Sequence, residues 1–166
     1  CATTWRPVGI SCPSTCQFLP KNNKTGKTSC YALRGLARLQ QKAAKGIKGT
    51  FDQLKKSDVK FIRHLTAGDW FHKNKLDKQF INEVIDLHKA RPDLIGWGYS
   101  HAIIHWIKAK ITPKSLPKNL HVLASVDNEE QMKLAKKHNW RYARIVDEWG
   151  TLNKGEAKCR YQLDST

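Results

Sequence analysis

The sequence predicts an α/β protein of about five β/α units, with parallel strands arranged as an incomplete β/α barrel. Three observations carry this. Short β-rich runs alternate with stretches of helical periodicity along the whole chain. That alternation implies parallel strands joined by right-handed helical crossovers. Each strand run also ends in ionisable or hydroxyl residues, as the carboxyl ends of strands do around a parallel α/β site. An open doubly wound sheet accounts for the same pattern. The 166 residues fit one domain with a real core. Within it a cysteine-loop region (1–30) precedes a β/α core (31–149) and a polar tail (150–166) that carries Cys159.

Thr3 to Gly9 reads as a short first strand, although Pro7 limits it. A Pro-, Gly- and Ser-containing loop follows and leads into a helical stretch from about Cys30 to Lys45, where Tyr31, Leu33, Leu36 and Ala37 recur at helical spacing. Thr50 to Lys56 is a short helical connector with Phe51 and Leu54 facing inward. Val59 to Leu65 is the second strand. Asn74 is placed to cap the next helix, with Asp77 in its first turn. Its apolar face comprises Leu76, Phe80, Ile81, Val84, Ile85 and Leu87, and Pro92 stops it.

Leu94 to Tyr99 is the third strand. Gly96 and Gly98 inside it suggest close approach by another group. A helical run from Ile103 to Lys110 precedes Pro113 and Pro117. Leu120 to Val126 is the clearest buried strand. Asp127 and Glu130 then form a capping box for a helix whose acidic start and basic end suit its dipole. Arg141 to Val146 is the last strand.

Basic residues outnumber acidic ones 30 to 14, a net charge of +16. Nucleic acid or another polyanion is therefore a candidate partner; a solvated lysine-rich surface is the plainer explanation. There is no apolar run of membrane-spanning length and no signal-peptide pattern, so the expected location is the cytoplasm. Nothing in the sequence fixes an oligomeric state.

Three of five cysteines, Cys12, Cys16 and Cys30, fall within nineteen residues on irregular backbone. Close cysteines in an intracellular protein point to a metal or cluster. Iron–sulfur clusters take thiolates from such loops. Zinc accepts a Cys-x3-Cys pair but wants a second close pair, and none is visible. A disulfide, or no function at all, is the remaining alternative.

Cys12-Pro-Ser-Thr-Cys16 followed by Cys30-Tyr31-Ala32 resembles the opening of the phage gene-product-88-like iron–sulfur family, itself similar to radical-SAM-type barrels. The likeness continues at Ile62 to Trp70, Gly96 to Ser100 and Leu123 to Asp127, so it covers most of the chain. The resemblance implies a 4Fe-4S cluster on Cys12, Cys16, Cys30 and Cys159, with 3Fe-4S or zinc as alternatives. Thirteen residues separate Cys16 from Cys30, unlike the tight triad of radical-SAM enzymes.

The residues after each strand form one expected rim: the cysteine loop, then His64, Thr66 and Asp69, then Tyr99, Ser100 and His101, then Ser125 and Asp127, then Asp147, Glu148 and Trp149. Each has a plainer explanation. Asp127 is a helix cap, Ser125 packs, His64 is a core histidine. Taken together they suit water activation: His64 or His101 as general base, Asp69 orienting it, Tyr99 or Ser100 donating to an oxyanion. The corresponding expectation is hydrolysis of small esters, without the Gly-x-Ser-x-Gly elbow of conventional serine hydrolases. The competing expectations are an iron–sulfur protein serving electron transfer or structure, and a nucleic-acid-binding module.

Overall fold

The computed structural model describes residues 1–8, 10–16, 19, 30–33, 47–144 and 152–157. Among these, five strands form one parallel sheet: β1 (Ala2–Trp5), β2 (Phe61–Ala67), β5 (Ile95–Ser100), β6 (Leu120–Val126) and β7 (Tyr142–Arg144), side by side in that order. The helices are α1 (Ile47–Lys56), α2 (Lys78–Ala90), α3 (Ile103–Lys108) and α4 (Glu129–Lys137). Sequential strand order with helical crossovers is the winding of a β/α barrel, here left open. No helix among the described residues is long and apolar enough to cross a membrane.

Strand alternation divides the sheet into two unlike faces. Ile62 and His64, Gly96, Gly98 and Ser100, and Leu120, Val122, Ala124 and Val126 are buried, and the apolar ones join the helices in the main core. Their neighbours Arg63, Trp97, Tyr99, His121, Leu123 and Ser125 lie on the opposite face and are half-buried. A row of rings runs through the helix-side core. Trp70 packs against Phe80 and Trp106 at centroid distances of 5.5 and 5.3 Å, and Trp106 meets Trp140 at 5.6 Å.

A small antiparallel hairpin, β3 (Phe71–His72) with β4 (Lys75–Leu76), interrupts the crossover after β2. Lys73 and Asn74 form its turn with φ of 47° and 67°, the paired left-handed residues of a type I′ turn. Asn74 is therefore a turn residue and not a helix cap. The cap of α2 is Asp77, which accepts from the Phe80 N–H at 3.0 Å and pairs with Arg6 at 2.6 Å. Burial alone would raise the Asp77 carboxyl, but that N–H and the guanidinium hold it below its ordinary pKa. The cap of α4 is likewise one residue later than Asp127: Asn128 accepts from the Gln131 N–H at 2.9 Å, and Gln131 Oε1 accepts from the Asp127 N–H.

Other connections match the residue patterns closely. Phe51 and Leu54 of α1 are buried, α2 ends two residues before Pro92, and β6 has the expected bounds. A 3-10 turn spans Tyr31–Leu33; the rest of the helix expected to Lys45 lies outside the described residues. So do Asp147, Glu148, Trp149 and Cys159.

The glycines of β5 are needed for close approach by the protein's own side chains. A Cβ at Gly96 would collide with the His88 ring, and one at Gly98 would lie 3.0 Å from Trp70. The space at Gly96 holds a buried pair, His64 Nε2 and His88 Nε2 at 2.9 Å. His88 Nδ1 lies 3.1 Å from the Leu94 carbonyl, which can only accept. The His88 proton therefore sits on Nδ1, His64 donates from Nε2, and His64 Nδ1 is left as a buried lone pair without a partner. Burial, with a smaller push from His88, lowers the His64 pKa to about 3. Burial lowers His88 to about 4, against the opposing bond to Leu94.

Two outcomes follow from this pair. In 15N-histidine spectra neither ring titrates as pH falls from 7 to about 5, the range in which an ordinary imidazole gains its proton. Well above pH 6.5 both rings are neutral in folded and unfolded chains and the contribution is present in full. Between pH 6.5 and about 4 the unfolded chain takes up protons that the folded pair refuses, so this contribution is lost on acidification. Gly96→Ala forces the His88 ring out of place and lowers stability by about 1–3 kcal/mol in urea unfolding; an unchanged midpoint would contradict the packing described.

Candidate functional site

The carboxyl ends of the strands are joined through one buried carboxylate. β2 reaches its end through a bulge: Thr3 pairs with Arg63 but Trp5 with Ala67, so β2 uses four residues where β1 uses two. Leu65 takes φ of 55° there, a strained value for leucine, and its N–H donates to Thr4 Oγ1 at 3.0 Å. The chain then turns at Gly68, whose φ of 83° and contact with Ser11 leave no room for a Cβ. This delivers Asp69 beneath the rim.

Asp69 is 3% exposed. Its Oδ1 accepts from the Trp70 N–H at 2.7 Å, and its Oδ2 from the His101 N–H at 3.0 Å. Its own N–H donates to the Ser11 carbonyl at 2.9 Å. The loops after β1, β2 and β5 thus meet at one residue. Burial raises the Asp69 pKa, while the N–H groups of Trp70 and His101 favour the charged form.

His101, held by its backbone, places Nε2 3.1 Å from Ser125 Oγ on the end of β6. The two side chains meet at the carboxyl edge of the sheet, where parallel α/β folds build their sites. An open cleft of about 190 Å³ lies beside them, lined by Pro13, Thr15, Cys16, His101, Asp127, Asn128 and Gln131. It therefore gathers residues from the loops after β1, β5 and β6.

Of the residues expected at the rim, His101 lines the cleft and Asp69 supports it from below. Tyr99 is on the same sheet face, two residues before His101, with the Arg63 guanidinium 5.7 Å from its ring centre. His64 is not at the rim: it is fully buried on the helix side and engaged with His88. Ser100 also turns inward, accepting from Trp106 Nε1 at 3.3 Å. Ser125, named at the rim with packing as its plainer explanation and given no catalytic role, is the side chain that His101 meets. Its position was available from alternation, since Leu120, Val122, Ala124 and Val126 take the core face and leave 125 on the other.

Cys12 is buried, Cys16 lines the cleft, and Cys30 is half-buried beside the Tyr31–Leu33 turn. Among the described residues no three His, Cys, Asp or Glu side chains are grouped to hold a metal ion. Comparison with known proteins adds no relative: no family model, curated protein or solved structure matches the chain significantly.

Replacing Asp69 separates a structural support from an ordinary surface acid. Asp69→Ala leaves the Trp70 and His101 N–H donors without their acceptor and costs about 2 kcal/mol or more in chemical denaturation. Asp127→Ala, at an exposed site, stays within about 0.5 kcal/mol of the parent. Equal, small effects at both positions would contradict the role given to Asp69.

Proposed function

We propose that the chain is a hydrolase of small esters, with Ser125 as nucleophile and His101 as its general base. The observation that carries this reading is the 3.1 Å contact between Ser125 Oγ and His101 Nε2 beside the cleft. In the tautomer that carries its proton on Nδ1, His101 accepts from the Ser125 hydroxyl. In acylation Oγ bonds to the ester carbonyl carbon and its proton passes to Nε2. The carbon–oxygen bond to the alcohol then breaks, and that proton leaves with the alcohol. Water, deprotonated by the same imidazole, releases the acid and restores Ser125. Asp69 acts as a positioning residue through the His101 backbone. Gln131, whose Oε1 is taken by the Asp127 N–H, retains an amide N–H2 group at the cleft as a donor for the developing oxyanion.

An iron–sulfur protein is the second reading, favoured by Cys16 lining this same cleft and by the spacing of Cys12, Cys16 and Cys30. A cluster there needs the described thiols to draw together with a further ligand, for which Cys159 is the proposed residue. Anaerobic protein carrying iron and sulfide in about equal amount, lost on Cys12→Ser, supports this reading; a preparation without iron removes it.

The hydrolase reading is tested with short-chain p-nitrophenyl esters. The expected result is a burst of nitrophenol followed by slower turnover. Ser125→Ala and His101→Ala each reduce kcat by about 100-fold or more, while His64→Phe leaves the chemistry in place in whatever fraction remains folded. Turnover that persists in Ser125→Ala and His101→Ala, or no turnover by the parent, would overturn it.

A further inference from the structure

The second face of the sheet has the composition of a base-stacking platform. Strand register places Thr3, Arg63, Trp97 and His121 in one row across four strands. Phe61 and Ile95 pair behind that row and are 51% and 42% exposed; Tyr99 and Leu123 pair ahead of it. Parallel sheets are ordinarily covered on both faces, so aromatic side chains left half-buried here mark a surface with something to bind. None of the five strands contains an Asp or Glu.

Charge selects the occupant. The Arg63 guanidinium stands over Tyr99, its Nε is buried without a hydrogen-bond partner, and it makes no ion pair among the described residues. An apolar partner would seal this cation away unpaired, at high cost. A second copy applied face to face would add a second Arg63 guanidinium to the same seam and no acidic strand residue to pair it. An anion with flat aromatic faces satisfies both the cation and the rings, and the whole chain carries +16. Nucleic acid fits this description. A sheet face that carries aromatic rings can receive splayed bases of a single strand, whereas a duplex keeps its bases stacked inside.

We infer that the Trp97–Arg63–Tyr99 face of the sheet binds single-stranded nucleic acid, with bases stacked on Trp97 and Tyr99 and backbone phosphate at Arg63. Strand spacing and side-chain alternation set the two rings about 7 Å apart along β5, a step that extended nucleotides can follow. The inference does not depend on the Ser125–His101 chemistry.

The test is fluorescence anisotropy with a labelled oligothymidylate of about twenty nucleotides, at several salt concentrations. The parent binds, and affinity falls steeply with salt. Trp97→Ala weakens binding by about tenfold or more, and Trp97→Phe, which keeps a ring, restores most of it. Arg63→Gln weakens binding and lowers the salt slope by about one. Lys133→Gln, the same charge change on the exposed side of α4, stays within about twofold of the parent. Urea midpoints for each variant confirm folding. The inference is overturned by no binding at low salt, by Trp97→Ala binding as the parent does, or by Lys133→Gln losing as much as Arg63→Gln. The last result would assign binding to diffuse surface charge.

Discussion

Everything at the carboxyl edge of the sheet depends on one buried carboxyl group. Asp69 is held mainly by backbone: N–H groups of Trp70 and His101 on its oxygens, and the Ser11 carbonyl on its own N–H, with the Ser100 side chain beside it. Backbone donors are less mobile than a lysine or arginine head, so they fix position as well as charge. The Ser11 carbonyl also accepts from Phe71, and Ile10 from Lys73, which seats the start of the cysteine loop against the β3–β4 hairpin. The approach of His101 to Ser125 is a consequence of this junction, because His101 is the residue whose backbone the carboxylate holds.

The sheet separates two tasks. Its helix side is conventional, with Ile62, Leu120, Val122 and Ala124 under α-helices and the tryptophan row beside them. The unconventional element there is the histidine pair in the space left by Gly96. The other side carries the polar and aromatic residues, and its carboxyl end runs into the Ser125–His101 contact. Both proposed activities therefore lie on one continuous surface, the platform along the strands and the cleft at their ends. A nucleic-acid ligand lying along β5 would approach the cleft, so the hydrolase substrate and the stacked ligand can be tested for competition with the same protein.

Much of this fold was legible because its strands have unmistakable local signals. Leu120 to Val126 alternates cleanly between core and surface, and Phe51, Leu54, Phe80, Ile81 and Val84 fall at helical spacing. What local pattern misled on is the identity of ends. Asn74 has the chemistry of a cap, but two left-handed residues in a type I′ turn claim it, and Asp77 caps instead. Asp127 lost its role to Asn128 for a similar reason, a one-residue shift that local propensity does not resolve. The site was half legible. His101 and Asp69 were visible as polar residues after strands. His64 was named both as a rim base and as a core histidine; regular alternation with Ile62 puts it in the core, where its partner His88, 24 residues away, could not be read from local pattern. Ser125 needed the strand's facing to be taken literally. The strand glycines gave the right signal of close approach, but the approaching groups are His88 and Trp70.

Amide hydrogen exchange on the folded protein tests the junction most directly. If Asp69 organises the rim, the amides of His101 and Trp70 exchange slowly in the parent. Both lose protection in Asp69→Ala, while the Ala124 amide, bonded to the Arg141 carbonyl in the sheet, keeps its protection. A His101 amide that exchanges as fast as an open loop in the parent, or that keeps its protection without Asp69, would contradict the account.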